Sequence, residues 1–374
     1  MPEAGNKPLK ICLAYFDMLT NGCVLLFIVA QNIIPAMLRV NYKSFRFPFE
    51  FPFAISKGVK TEQSSLLTAL QMGPVLGLGE ATAIPYYEVT IENMVALLEK
   101  NRLVIEKYAL ISPERFWHFL HHLLPENNFL IAALDMAAWD IWAQMKRQPL
   151  WKVLGLEWKD TPLTSYTIGI NAPDEIAERV RQKPWPVYKL KVGSPQDLPA
   201  LETLRSHTDA RIRIDANEGW NLETAQALYP HLKHLQIELI EQPFHRDDRD
   251  ALMRFRELCD IPLIADEACR TEADLEACIS AYDGVNIKLS KCGGITPALR
   301  MITHLHQSGK KVMLGGMCEN VVGATALAHL LPLADYADID GPLLLKEHPA
   351  SGISYDTGRM ILPNLPGTGT RLFS

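Results

Sequence analysis

Hydrophobic and polar positions change rhythm twice along the chain. From Met37 to about Ala83 they form short runs broken by Pro and Gly, as in "MLRVNYKSFRFPFEFPF", which predicts strands. From Thr90 to about Leu154 the spacing becomes helical. There "FLIAALDMAAWDIWAQM" (129–145) is apolar on every side, which predicts a helix buried between two bodies. After "TPLTSYTIGI" (161–170) a short apolar strand followed by a helix recurs: "VYKLKV", "ARIRIDAN", "QIELIEQP", "IPLIADEA", "GVNIKLSK", "KVMLGGM" and "YADIDGP". Strands followed by helices predict an α+β domain over 37–158. Regular βα alternation through about eight units predicts a parallel sheet closed into a barrel over 159–345. The Gly/Pro-rich tail, 346–374, is expected to pack back on the first domain.

Composition narrows the partners. The 374 residues are 48% hydrophobic and 21% charged, as in a soluble enzyme, and fibrous and disordered classes are excluded. A net charge of -6 without a Lys/Arg-rich run indicates neither nucleic acid nor a membrane surface, which leaves a small molecule. Seven cysteines (12, 23, 259, 269, 278, 292, 318) without a C-x-x-C fit free thiols in the reducing cytoplasm. In residues 1–36, "NGCVLLFIVAQNIIPAM" follows Lys7 and Lys10 as the apolar core of an export signal would. Its uninterrupted apolar run, Val24 to Ala30, falls far short of the ~20 residues of a membrane span. The segment reads as a leader created by a start set too early; a genuine export signal and an ordinary extra segment are the alternatives.

Barrel active sites lie where strands end, so polar residues closing apolar strands are the candidates. They are Lys189 and Lys191, Asp215, Glu241, Asp266, Lys288, and the pair Asp338 and Asp340. From Lys191 to Lys288 the intervals are 24, 26, 25 and 22, about one βα unit each, which brings Asp215, Glu241 and Asp266 to one level on adjacent strands. Taken singly, each acid could cap a helix. Three converging carboxylates in a low-dielectric pocket require a cation, and an all-oxygen set selects a hard one, Mg²⁺, one per chain. Strand parity points Lys189 and Lys191 the same way. Lys191 on the strand before the ligands and Lys288 on the strand after approach a bound substrate from opposite sides. Repulsion from Lys189 and the metal then favours the neutral amine that Lys191 needs as a base, while Lys189 helps bind anionic oxygen.

K-x-K, "DAN", "EQP", "ADE" and "NIKLSKCGG", in this order, resemble the muconate-lactonizing subgroup of the enolase superfamily over residues 37 to 370. "RIDANEGW", "IEQPFHRDD", "MLGGMCEN" and "DIDGP" look like the corresponding pieces of its dipeptide epimerases. The resemblance implies a (β/α)7β barrel capped by the first domain, a homo-oligomer, and the superfamily's chemistry of a lysine base with a metal-stabilised enediolate. It implies a dipeptide bound through its C-terminal carboxylate to Mg²⁺, with Lys191 and Lys288 exchanging the α-proton on opposite faces. Asp338 and Asp340 would then hold the substrate's ammonium. The His-Asp pair of the mandelate-racemase subgroup is missing, since Lys288 occupies the sixth-strand place and no histidine ends the seventh.

Members specific for L-Ala-D/L-Glu carry an arginine in the early capping loop. In "FPFAISKGVKTEQSS" (51–65) Gly58 falls at that place, with Lys57 and Lys60 as possible substitutes and Phe51 and Phe53 as candidate pocket walls. The second residue of the substrate is therefore open, an apolar one included. The rival readings are an o-succinylbenzoate synthase or muconate cycloisomerase, an N-acyl amino acid racemase, and a catalytically silent binding protein on the same barrel. The acidic pair argues against the first two, and the complete set of two lysines and three ligands argues against the last.

Overall fold

The computed structural model describes residues 37–55, 58–125 and 127–373; the leader assignment and Lys57 lie outside them. Three antiparallel strands, β1 (Leu38–Ile55), β2 (Gly58–Met72) and β3 (Val75–Thr82), form a sheet in the order β1-β2-β3. Pro48 and Pro52 are tolerated in β1 because it is an edge strand, and its pairing with β2 shifts register between Pro48 and Phe53. The helical stretch divides into Ile91–Glu106, Pro113–Leu123 and Asn128–Met145. Their starts are set by Thr90, Ser112 and Asn127, whose side chains accept from Asn93 N, Arg115 N and Leu130 N.

Helix Asn128–Met145 is buried along most of its length, as its apolar pattern predicts. It presses so closely on β3 that a Cβ at Gly79 would stand 1.8 Å from Ala133 O. Its two carboxylates are buried as well and serve as caps. Asp140 accepts from Leu78 N (3.0 Å) and from Thr368 N of the tail (2.8 Å), and Asp135 accepts from Thr296 N (3.0 Å).

Eight parallel strands follow: β4 (Tyr166–Ile168), β5 (Val187–Lys191), β6 (Arg211–Asp215), β7 (Ile237–Glu241), β8 (Leu263–Ala265), β9 (Gly284–Ile287), β10 (Lys311–Gly315) and β11 (Tyr336–Asp338). They pair consecutively, and a parallel bridge between Thr164 and Ala337 nearly closes the sheet into a barrel. Helices between successive strands bury the outward apolar residues in one large core. The end of β1 lies over the barrel, where Ala54 O accepts from Ile170 N at 2.8 Å. The tail bonds back to both parts, with Leu150 N donating to Gly367 O (2.8 Å) and His329 Nε2 to Thr368 O (3.0 Å). Among the described residues no helix is long and apolar enough to cross a membrane, and the five described cysteines are free thiols.

Candidate active site

β5 is buried on both faces. Tyr188 and Leu190 join the apolar core, while Lys189, 1% exposed, and Lys191 turn into the barrel. Register carries the next charges to the same level: Lys191 pairs with Asp215 and Asp215 with Glu241. Asp266 follows β8 by one residue, and Lys288 follows β9 by one residue. One carboxylate oxygen each from Asp215, Glu241 and Asp266 lies within 4.8 Å of the other two, and all three residues are buried.

Lysines surround this triad. Lys189 Nζ lies 2.6 Å from Glu241 Oε2, 2.6 Å from Asp338 Oδ2 and 3.1 Å from Asp215 Oδ2. Lys191 Nζ lies 2.6 Å from Asp215 Oδ2, and Lys288 Nζ lies 2.7 Å from Asp266 Oδ2. Lys291 Nζ donates to Asp266 Oδ1 (2.7 Å) and to the carbonyls of Asp266 (2.5 Å), Cys269 (2.8 Å) and Asn286 (3.1 Å). Burial disfavours the charged forms of Lys189 and Lys288, but the carboxylates outweigh it and hold both well above the ordinary lysine range. Burial alone would raise Asp266, yet Lys288 and Lys291 hold it well below the usual carboxylate range. Glu241 is pushed up to about 7, by burial first and then by Asp215.

The donor set fits a hard divalent cation. Glu241 Oε1 accepts from Asn286 Nδ2 at 2.8 Å. Its Oε2 is buried and accepts no aligned hydrogen bond, although Lys189 Nζ stands close by. An inward carboxylate oxygen without a hydrogen bond, beside two further carboxylates, has the character of a cation ligand. Supporting groups fix the other two. Asn217 N donates to Asp215 Oδ1 (2.9 Å), and Gln242 Oε1 accepts from Asp266 N (2.9 Å) and Ala268 N (3.0 Å).

Asp338 and Asp340 lie on the Lys189 side. Asp338 Oδ1 accepts from Ser165 Oγ (2.6 Å) and Thr167 Oγ1 (3.3 Å), and Asp340 Oδ2 accepts from Thr167 N (2.6 Å). Burial would raise Asp338, but Lys189 holds it far below the usual range; burial, reinforced by Asp338, pushes Asp340 up to about 7.

Over the charges lies a cavity of about 110 Å³ whose walls include Phe53, Lys60, Tyr87, Lys191, Lys288 and Met317. Phe53 is thus at the site. Phe51 is 36% exposed and instead carries the Arg179 guanidinium 4.1 Å from its ring centre. Gly58 is exposed, with φ +131°, at the tip of the β1–β2 hairpin. Sequence reasoning missed Lys291, Asn286, Gln242, Ser165 and Thr167. Gln242, Asn286 and Lys291 lie inside the quoted "EQP" and "NIKLSKCGG" motifs, but nothing local marked them as site residues.

Comparison with known proteins matches residues 39–155 to the mandelate racemase/muconate lactonizing enzyme N-terminal domain and residues 172–373 to the enolase C-terminal domain-like family. The L-Ala-D/L-amino acid epimerase of Maribacter sp. is 40% identical over 336 residues, 90% of this chain and 99% of the relative. The dipeptide epimerase from Cytophaga hutchinsonii, in complex with Mg and D-Ala-L-Val, superposes with a TM-score of 0.86 at 28% identity, covering 90% of this chain and 96% of that one. A substrate-liganded L-Ala-D/L-Glu epimerase from Bacillus subtilis superposes with a TM-score of 0.84 at 29% identity, covering 89% and 98%.

Proposed function

The chain belongs to the mandelate racemase/muconate lactonizing enzyme family of enolase-like proteins, and from that premise we propose that it is a Mg²⁺-dependent dipeptide epimerase, an isomerase inverting the α-carbon of the C-terminal residue. The observation that carries the reading is the placement of two lysines on opposite ends of one acidic triad, Lys191 on Asp215 and Lys288 on Asp266.

Asp215, Glu241 and Asp266 would hold the ion. Bound Mg²⁺ supplies positive charge that polarises the substrate carboxylate and acidifies the neighbouring α-hydrogen. One lysine nitrogen takes that hydrogen as a proton. The C–H electron pair passes toward the carboxylate, and the opposite ammonium returns a proton to the other face. Lys189, enclosed by three carboxylates, stays charged and faces the negative charge that develops. Asp266 and Glu241 outweigh burial and hold Lys288 charged, and a cation bound by the same two carboxylates would weaken that hold.

The paired carboxyl groups of Asp338 and Asp340, beside Lys189, would suit a substrate ammonium, which favours a free dipeptide over an N-acylated amino acid. Phe53 and Met317 on the cavity wall, with Gly58 at the hairpin tip, suit a variable second residue with apolar side chains included. Incubation with Mg²⁺ and L-Ala-L-X dipeptides, followed by chromatographic separation of diastereomers, tests the reading. The L-Ala-D-X product is expected; turnover of N-succinyl amino acids with dipeptides untouched would displace it.

A further inference from the structure

We infer that the helix Asn128–Met145 of the first domain is the positioning device for one of the two bases, Lys288, and that Asp135 is its central residue. The inference rests on the two-base reading above. Lys288 leads directly into a short helical turn, Leu289–Cys292, then the Gly293–Gly294 link, then helix Ile295–Gln307. Lys288 O accepts from Lys291 N (3.0 Å) and Cys292 N (3.2 Å), so the base's own backbone is the first link of this turn.

The segment is bonded from the first domain at three points, Lys291, Gly293 and Thr296. Asn128 Nδ2 donates to Lys291 O (2.9 Å), and Trp117 Nε1, from the preceding helix, donates to Gly293 O (2.9 Å). Asp135 accepts from Thr296 N (Oδ2, 3.0 Å) and from Thr296 Oγ1 (Oδ1, 2.7 Å), and Trp139 Nε1 donates to that same Oγ1 (2.9 Å). The link is fitted to the carboxylate: at Gly294, with φ +124°, a Cβ would stand 2.4 Å from Asp135 Oδ2. A buried carboxyl group in a mostly apolar helix costs desolvation, and here both of its oxygens bond a segment whose other end is a base. Among the described residues the segment after Lys191 is held differently. It is tied by Asp197 Oδ2, which accepts from Gly193 N (2.7 Å) and Ser194 N (2.8 Å), all within the barrel.

This asymmetry makes the inference testable, because the two bases serve opposite epimers. The epimer presenting its α-hydrogen to Lys191 can still lose it and recover deuterium from the same lysine when Lys288 is misplaced. The epimer that needs Lys288 cannot start. The experiment follows α-deuterium uptake and inversion from each epimer of one dipeptide in D₂O with Mg²⁺, for Asp135→Asn and, as a variant that keeps the apolar body and removes one donor, Trp117→Phe. Asp140→Asn, on the same helix but bonded to Leu78 and Thr368, is the control. The expected result is that Asp135→Asn and Trp117→Phe lose about 10-fold or more of the exchange from one epimer only, with exchange without inversion from the other. Asp140→Asn should leave the ratio of the two rates unchanged. Equal loss from both epimers, unchanged rates in both clamp variants, or a skew in Asp140→Asn as large as theirs overturns the inference. Failure of the epimerase reading is distinguishable, because the unmodified enzyme would then show no dipeptide exchange.

Discussion

Lys189 and Lys191 place their ammonium nitrogens on a single oxygen: Asp215 Oδ2 lies 3.1 Å from the first and 2.6 Å from the second. Lys189 also touches Glu241 and Asp338 and is 1% exposed, whereas Lys191 borders the cavity. The shared oxygen therefore joins a fully buried ammonium to one that borders the cavity. Lys189→Met strips a counter-charge from three buried carboxylates and is expected to cost about 3–5 kcal/mol of stability. Lys191→Ala should keep the fold and lower epimerisation by about 10²- to 10⁴-fold. Denaturation curves beside chiral assays check both, and a Lys191→Ala variant with full turnover contradicts the two-base account.

Lys291 anchors Asp266, one of the three carboxylates proposed to hold the cation. Its ammonium meets four acceptors, two of them on Asp266. Lys291→Met is expected to weaken Mg²⁺ binding by about 10- to 100-fold, read by calorimetry or by the loss of Mg²⁺-dependent thermal stabilisation. Unchanged affinity would show that Asp266 holds its place without it.

A buried histidine sets an acid limit on stability. His329 Nδ1 accepts from Trp151 N (3.1 Å), so Nε2 carries the hydrogen and donates to Thr368 O (3.0 Å). A second proton has no place, and burial lowers His329 from 6.5 to about 4. A lowered folded value means that this stabilisation is fully present above pH 6.5 and is lost as pH falls toward 4, a change on the order of 3 kcal/mol. Denaturant titrations at pH 7.5, 6, 5 and 4, with His329→Gln beside the unmodified chain, should show a shallower acid slope in the variant.

Asp340 offers the cleaner test of ammonium recognition, because Asp338 is also tied to Lys189. Asp340→Asn is expected to lower kcat/KM for free dipeptides by about 10- to 100-fold, the value of one charge-assisted hydrogen bond. An equal loss toward N-acylated substrates would remove the pair from that role.

The barrel and its charges were legible because each signal is local: an apolar strand, a charge at its end, and a repeat of 22 to 26 residues. Strand parity also placed Lys189 and Lys191 together. Of the two candidate pocket walls, Phe53 lines the cavity and Phe51 does not, and the register shift between Pro48 and Phe53 falls between them and the regular pairing. Lys291 was hidden because a lysine one turn into a helix ordinarily reads as a solvated charge. Asp135 and Asp140 were hidden because the donors they cap lie more than 60 residues away in sequence. Ser165 precedes and Thr167 lies within a three-residue strand, too short to carry a pattern.

The most direct test of the central claim is mass analysis of dipeptides after incubation with enzyme and Mg²⁺ in D₂O. The account predicts one deuterium at the α-carbon of the C-terminal residue, accompanying inversion and lost when Mg²⁺ is chelated. Deuterium uptake only in molecules lacking a free N-terminus, or uptake that persists without the metal, would contradict it.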